Sequence, residues 1–109
     1  MNALRNTVQL IGNLGNDPQL RKSTTGNNVI SFTLATHEVR KKENGEKSVT
    51  TEWHNCVAFG KTAETMEVLL KKGKEVAVQG KLTHRSYEDK SGQKRYFTEV
   101  VVRDFMLVN

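Results

Sequence analysis

The strict alternation of apolar and polar residues in short segments most constrains the fold of this chain, and residues 51–61 show it best. Successive side chains of a β-strand point to opposite sides, so a period of two predicts a strand. In residues 51–61 the alternation separates two sets of side chains: Trp53, Asn55, Val57 and Phe59 on one side, and His54, Cys56 and Ala58 on the other. The second set is small and mostly apolar, which predicts that it faces a core. The first set combines two large rings with a polar amide, which predicts an exposed aromatic platform; the alternative is that both rings belong to the core, as aromatic side chains usually do.

Further segments show the same period of two, and one segment has helical spacing instead. The alternating segments are residues 7–15, 29–36, 74–84 and 96–102, and residues 105–108 add a short apolar piece. In residues 61–72 one apolar stripe is formed by Ala63, Met66, Leu69 and Leu70, which predicts a helix. Thr62 is its predicted N-cap, and Gly73 stands where a left-handed C-cap belongs.

Two long polar segments, residues 37–48 and 85–95, predict β-hairpin arms that protrude from the fold. Asn44-Gly45 is a strong hairpin-turn dipeptide, and residues 89–92 form a second turn. For the first arm the alternative is a solvated loop of mixed charge, because three glutamates partly offset its lysines. At 109 residues, this order predicts one all-β domain over residues 1–109: a five-stranded OB-fold barrel with one short helix between strands 3 and 4 and long β-hairpin arms.

The composition favours a polyanionic partner and argues against a membrane protein. The formal net charge is +5 and the isoelectric point is about 9.5. Mean hydropathy is -0.60, and even an apolar run as long as residues 105–108 is far shorter than the ~20 residues of a membrane-spanning helix. Residues 1–6 contain no apolar signal region, so no secretory signal is expected. A single cysteine excludes an internal disulfide framework and agrees with a reducing compartment.

The motifs of enzymes and metal sites are incomplete in this sequence. Gly60-Lys61-Thr62 resembles the end of a phosphate-binding loop, but that motif requires a glycine at position 55, where Asn55 stands. His54 and Cys56 share one side of a strand, yet no second pair of His or Cys residues completes a zinc set. No pair of carboxylates suggests acid–base chemistry. We therefore expect a protein that is not an enzyme and holds no metal and no cofactor.

What remains is a surface of aromatic rings and cations on and beside the two arms. The rings expected to stack on unpaired bases are Trp53, Phe59 and Tyr87. The cations expected to neutralise phosphates are Arg40, Lys41, Lys42, Lys47, Lys61, Lys72, Arg85 and Arg95. Both contacts are largely independent of base identity, so the predicted partner is single-stranded nucleic acid, bound in preference to duplex with little sequence choice. Neither contact requires deoxyribose, so RNA stays an alternative.

Five motifs resemble the bacterial single-stranded DNA-binding protein family, and the resemblance extends over nearly the whole chain. They are Val-Gln-Leu-Ile-Gly-Asn-Leu-Gly-Asn-Asp-Pro at 8–18, Thr-Glu-Trp-His at 51–54, Phe-Gly-Lys at 59–61, Leu-Lys-Lys-Gly at 70–73 and Thr-Glu-Val-Val-Val at 98–102. The resemblance implies an OB fold, a homotetramer, and a role in coating and protecting single strands during DNA replication, recombination and repair. It also implies a cytoplasmic, nucleoid-associated location.

The resemblance further implies roles for individual side chains. Trp53, Phe59 and Tyr87 match the family's stacking positions, with Tyr87 in place of a frequent tryptophan. Arg40 stands where a further tryptophan is frequent, so one stacking ring is absent there, although a guanidinium can itself stack or pair with phosphate.

Other positions match the family's path for the DNA strand and its subunit interfaces. The residues that match basic positions along that path are Lys61, Lys72 and Arg85, whereas Asn55 occupies a place that is often basic. The residues expected at subunit interfaces are Asn6, Val8, Leu10 and His54. The first three lie on the strand that is expected to pair across a dimer.

The resemblance also bears on protein partners, through a tail that many family members carry. The family usually continues past the barrel into a flexible tail with an acidic tip that recruits replication and repair enzymes. Residues 1–109 contain no such tail, so binding of these tail-dependent enzymes is not expected from them.

The alternative function is that of an OB-fold replication-restart accessory, which binds single strands as a dimer. Such accessories usually lack the full aromatic set, so the presence of both Trp53 and Tyr87 favours the coating protein.

Overall fold

The computed structural model of the chain describes residues 4–108, which contain six strands and one helix. In chain order these elements are β1 (Val8–Leu14), β2 (Gln19–Lys22), β3 (Asn28–Lys41), β4 (Lys47–Phe59), α1 (Gly60–Leu69), β5 (Glu75–Glu88) and β6 (Lys94–Leu107). The long strands and the single helix follow the order that the sequence predicts.

Five of the six strands close into a barrel. Its order is β1-β5-β6-β4-β3, and β3 returns to β1 through two residue pairs. β4 and β6 run parallel, with Cys56 beside Val100 and Val57 beside Val101, and every other pair of neighbouring strands is antiparallel. This arrangement confirms the predicted OB-fold barrel. β2 adds a short sixth strand along β3.

The core lies inside the barrel and is built from every second residue of the strands. The buried strand residues of the core are Leu14, Ile30, Phe32, Leu34, Cys56, Ala58, Val76, Val78, Val100 and Val102. Ala63 and Met66 of α1 are fully buried against them. Burial of each large aliphatic side chain contributes about 1.5–3 kcal/mol to folding. The period of two therefore decides which side of each strand faces the core.

The helix begins and ends at different residues from those predicted. It starts at Gly60, with Phe59 as an N-cap in extended conformation that makes no side-chain capping bond. Thr62 lies inside the helix, and Gly73, although its φ is 89°, lies in the turn beyond the last helical residue. The φ of 63° at Gly60 lets the chain turn directly from β4 into α1, so the helix starts earlier than its apolar stripe indicates. Within residues 4–108, no helix combines the length and the apolar character that crossing a lipid bilayer requires.

Both predicted arms are continuous extensions of barrel strands. β3 pairs with β4 without a break as far as Lys41 and Lys47, and β5 pairs with β6 as far as Glu88 and Lys94. The first arm is thus a paired hairpin and not a solvated loop. In the turns after β2, β3 and β5 the first residue donates its N–H to the carbonyl of the fifth, and the fourth is a glycine with φ of 86°, 86° and 83°. These turns match the hairpin loop in which a glycine closes a type I turn.

β6 is one strand, although the sequence predicted two pieces there. Gln79 faces Asp104 while Gly80 faces Val102, so Arg103 is an extra residue in the ladder. Such a bulge turns the strand without ending its pairing. The bulge breaks the alternation between residues 102 and 105, and this is why the sequence pattern indicates two segments.

Candidate nucleic-acid interface

The odd-numbered side chains of β3 and β4 point away from the core and form one outer face of the barrel. Trp53 and Phe59 lie on this face and are 61% and 49% exposed, respectively, so both rings are outside the core, as the alternation predicts. Asn55 is exposed between them. Val29, Ala35 and Val57 are exceptions, because they point outward and are nevertheless buried.

The loop between β1 and β2 determines the position of the Trp53 ring. A Cβ atom added at Gly15 would overlap the ring at Cζ3 and would lie 2.6 Å from Oγ1 of Thr33. The backbone N–H of Gly15 donates to the carbonyl of Thr33 at 2.9 Å. The side-chain oxygen of Asn16 accepts hydrogen bonds from both N–H and Oγ1 of Thr33, each at 3.0 Å. The loop is therefore held against β3, and the indole ring rests on Gly15.

A groove runs between this outer face and the β5–β6 arm. It consists of three adjoining depressions, one bordered by Trp53 and another by Phe59. The residues shared between them include Glu99, which lines all three, and Asn55, Arg85 and Phe97, which each line two. Because the depressions share lining residues, the two exposed rings stand along one continuous open surface.

The side of the β5–β6 arm that faces the groove also carries the third predicted ring. Tyr87 lies two residues from Arg85 and directly opposite Arg95, so all three side chains leave the same side of the arm. Tyr87 is exposed. The structure therefore brings the three predicted rings to one side of the molecule, with Tyr87 farther out along the arm.

Arg85 is already engaged within the groove. Its Nε donates to Oε1 of Glu99 at 3.1 Å. Its Cζ atom lies over the ring of Phe97, 4.8 Å from the ring centroid. This distance is within the range of a cation–π interaction. Arg85 thus has an anionic and an aromatic partner in the same chain.

Arg95 is also paired, at the tip of the same arm. Its Nε donates to Oδ2 of Asp89 at 2.9 Å. Oδ1 of Asp89 accepts from the N–H and hydroxyl of Ser91 and from the N–H of Gln93. The hydrogen bond from Arg95, together with those from Ser91 and Gln93, lowers the pKa of Asp89 from 3.8 to about 2. The carboxylate therefore organises the turn and partly offsets the charge of Arg95.

The predicted cations of the β3–β4 arm lie on two sides of that hairpin. Lys41 is directly opposite Lys47, on the same side as Trp53 by alternation. Arg40 pairs with Ser48 and therefore leaves the other side. Lys42 lies at the start of the turn. All four cations are exposed, but only part of the set shares a side with the aromatic ring.

The two predicted cations beyond β4 differ in their relation to the groove. Lys61 is exposed at the start of α1, two residues after Phe59. Lys72 lines a separate depression with Asn13 and Lys74 that shares no residue with the groove. The backbone N–H of Lys72 donates to Oδ1 of Asp17 at 2.7 Å. The structure therefore does not bring Lys72 together with the rings.

The residues predicted for subunit interfaces make contacts within the chain. The side chain of Asn6 bonds both backbone groups of Leu82, at 3.0 and 3.1 Å. Val8 and Leu10 are partly buried and pack against the core. Nε2 of His54 lies 2.8 Å from Oγ1 of Thr36.

Among the described strands, residues 8–12 of β1 pair with β5 alone, because β1 meets β3 only at its last two residues. One backbone edge of β1 is thus without a strand neighbour in residues 4–108.

Cys56 lies in the core, and its thiol is protonated at neutral pH. Its side chain is buried, and burial, together with the charge of Glu99, raises the pKa of the thiol from 9.0 to about 12. The thiolate required of a nucleophile is therefore absent at neutral pH.

In the part of the chain that the structure describes, no group of three or more His, Cys, Asp or Glu side chains is positioned to hold a metal ion.

Sequence reasoning missed several residues of the groove. The sequence pattern predicts Phe97 and Glu99 only as members of an alternating strand, and it predicts Asn16, together with Gly15 beneath the indole ring, only as part of a turn. The alternation of residues 96–102 does place Phe97 and Glu99 on one side. What it lacks is the register with β5, which sets Arg85 opposite Phe97.

A closed five-stranded barrel, with one helix between its third and fourth strands and a groove open across its outer face, defines an OB-fold binding domain. The sequence profile of the single-strand binding protein family matches residues 5–108. The chain therefore belongs to the single-strand binding protein family, as its five motifs predict.

Individual relatives agree with this membership. Single-stranded DNA-binding protein 1 of Chlorobaculum tepidum is 46% identical to the chain over 104 residues. The match covers 94% of this chain and 64% of the relative, so the chain spans just under two thirds of that protein's length. The structure is similar to that of Plasmodium falciparum SSB in complex with ssDNA, with a TM-score of 0.85, 29% identity and full coverage of both chains. It is also similar to a deletion mutant of the single-stranded DNA binding protein from Thermus aquaticus, with a TM-score of 0.81 and 27% identity over 95% of this chain and 50% of the other.

Proposed function

We propose that this protein binds single-stranded DNA in the groove between the β3–β4 face and the β5–β6 arm. Bases stack on Trp53, Phe59 and Tyr87 in this proposal. The observation that carries it is the exposure of Trp53 and Phe59 along one open groove, in a chain of the single-strand binding protein family. Stacking of a base on such a ring contributes about 1–3 kcal/mol for any base, since every base has a π-face.

The proposed phosphate contacts come from cations on the arms and around the groove, together with Lys72, which lies outside it. They are Arg40, Lys41, Lys42, Lys47, Lys61, Lys72, Arg85 and Arg95. Contacts to phosphate give affinity and carry no sequence information. Binding is therefore tolerant of sequence, and it prefers single strands because duplex bases are not free to stack on protein rings.

The proposed role is to coat and protect single strands during DNA replication, recombination and repair. Family membership supports this role, and the Plasmodium falciparum relative is described in complex with ssDNA. The proposed assembly is a homotetramer, acting in the cytoplasm at the nucleoid. Within residues 4–108, one backbone edge of residues 8–12 has no strand neighbour, which supports an assembly, since exposed strand edges favour pairing with another chain.

We expect binding without chemical turnover. The Cys56 thiol is buried and stays protonated at neutral pH. Two other groove residues are suited to proton transfer: Nε2 of His54 lies 2.8 Å from Oγ1 of Thr36, and the carboxylate of Glu99 is paired with Arg85. The protein is therefore proposed to act by contact alone.

A titration with oligo-thymidine and with the corresponding duplex tests the proposal. Trp53 is the only tryptophan, so its emission reports directly on the groove. We expect strong quenching by the single strand and little by the duplex. The Trp53→Ala variant, followed by anisotropy of an end-labelled strand, should bind about 5- to 150-fold more weakly, which corresponds to about 1–3 kcal/mol.

Val68→Ala is the matched control, because Val68 is an exposed residue of α1 that lines none of the three depressions. Its affinity should equal that of the wild type. Unchanged Trp53 emission at saturating single strand, or equal affinity for single strand and duplex, would contradict the proposal.

A further inference from the structure

We propose that Arg85 and Phe97 form a fourth base-stacking platform in the groove, on which a nucleobase stacks against the guanidinium of Arg85. The inference rests on the proposed single-strand binding and deepens it. It gives Arg85 the role of a base contact in place of a phosphate contact.

The first observation is that the guanidinium of Arg85 has two partners in the chain and is still accessible. Arg85 lies directly opposite Phe97 in the β5–β6 ladder, and its Cζ is 4.8 Å from the Phe97 ring centroid. The Nε–Oε1 hydrogen bond to Glu99, at 3.1 Å, restrains one edge of the group. The Arg85 side chain is nevertheless 60% exposed, whereas that of Glu99 is 14% exposed. The Cζ atom of Arg85 therefore lies over the ring, while more than half of the side chain stays open to solvent.

The second observation is the charge of this part of the groove. Glu99 lines all three depressions, and its carboxylate offsets the charge of Arg85. A phosphate placed here would meet an anion as well as a paired cation. A base meets no such repulsion, and guanidinium planes stack on bases much as aromatic rings do. The surroundings of Arg85 therefore favour a base over a phosphate.

The third observation is the position of Arg85 and Phe97 along the groove, relative to Trp53 and Phe59. Trp53 borders one outer depression and Phe59 borders the other. Phe97 and Arg85 both line the central depression, which adjoins these two. Each also reaches into one of the outer depressions: Phe97 into that of Trp53 and Arg85 into that of Phe59. The platform thus lies between the two exposed rings, where a strand that stacks on both has to pass.

Arg85→Lys separates stacking from phosphate contact, because lysine keeps the charge and lacks the plane. Two end-labelled probes of equal length are compared by anisotropy: oligo-thymidine, and an abasic deoxyribose-phosphate strand that has no base to stack. We expect Arg85→Lys to bind oligo-thymidine about fivefold more weakly or worse, and to bind the abasic strand as the wild type does. Arg103→Lys, at the bulge of β6 and outside the groove, should behave as the wild type with both probes.

Phe97→Leu gives a second test, because leucine keeps an apolar side chain where Phe97 is half-buried but removes the ring under Arg85. It should also weaken oligo-thymidine binding selectively. A third readout is salt dependence: Arg85→Ala should leave the slope of log K against log salt unchanged, whereas loss of a phosphate contact would reduce its magnitude by about 0.7. That reduction, or wild-type affinity of Arg85→Lys for oligo-thymidine, would overturn the inference. Failure of the proposed function looks different, because the wild-type protein itself would then not bind oligo-thymidine.

Discussion

Gly15, a residue without a side chain, controls the position of the Trp53 ring. A methyl group at this position would overlap the ring at Cζ3 and crowd Oγ1 of Thr33. We therefore expect Gly15→Ala to push the indole outward, to lower the free energy of unfolding by about 1–3 kcal/mol through overpacking, and to weaken single-strand binding. Urea unfolding, the emission maximum of Trp53 and anisotropy titration measure these three effects.

A double-mutant cycle isolates the contact between glycine and indole. In a Trp53→Ala background, Gly15→Ala has only Thr33 to displace, so it should destabilise the fold less than it does in the wild type. An equal loss of stability in both backgrounds would show that the indole does not rest on Gly15.

At the level of elements, the two arms use the same turn with different chemistry at its centre. In the β3–β4 arm the amide oxygen of Asn44 accepts the N–H of Glu46 at 3.0 Å. In the β5–β6 arm the corresponding bonds go to the carboxylate of Asp89, which accepts from Ser91 and Gln93. Only in the β5–β6 turn is the hydrogen-bond acceptor a group that can be protonated. We therefore expect only this turn to lose side-chain hydrogen bonds as the pH falls.

The pKa of Asp89 sets the pH range of this effect. The folded pKa is about 2 and the ordinary value is 3.8, so the carboxylate stabilises the turn fully above the ordinary value. That contribution is lost as the pH falls from about 4 towards 2. We expect the amide resonances of Ser91 and Gln93 to titrate with a midpoint near 2, as measured by NMR, and Asp89→Asn to abolish the transition.

The Asn44 turn supplies the internal control. The amide of Glu46 is held by a group that does not ionise, so it should show no transition in the range where Asp89 titrates. A midpoint at the ordinary 3.8 for Ser91 and Gln93 would mean that Arg95 does not hold the carboxylate in solution.

At the level of the whole molecule, one exposed apolar strip shares no residue with the groove. Ile11, Ala77 and Met106 lie side by side on β1, β5 and β6, and both Ile11 and Met106 are exposed. Contiguous exposed apolar surface marks interaction sites, so the proposed homotetramer has a surface to bury here. We expect Ile11→Lys to lower the assembled mass in sedimentation, because burying an unpaired ammonium costs several kcal/mol.

Val68→Lys is the control for that experiment, since Val68 is exposed on α1, away from the strip. It should sediment as the wild type does. A wild-type protein that is monomeric at micromolar concentration would refute the proposed tetramer, and an Ile11→Lys variant of unchanged mass would exclude this strip from the interface.

The sequence alone determined which side of each strand is buried. A period of two follows directly from backbone geometry, so the alternation is sufficient to separate Cys56 and Ala58 from Trp53 and Phe59. The turn glycines likewise indicated both arms, because few other residues adopt the left-handed conformation that closes these hairpins. The helix was predicted but its start was not, since Gly60 turns the chain in a way that no apolar pattern records.

Only the tertiary structure decided how these parts meet. The ladder that sets Arg85 over Phe97, and the closure that leaves Lys72 outside the groove, join residues from separate segments. Periodicity fixes which side a residue faces but not its register with another strand, because a slip of two residues leaves the pattern unchanged. Turn geometry, the bulge at Arg103 and closure of the barrel select one register, and that choice assembles the groove.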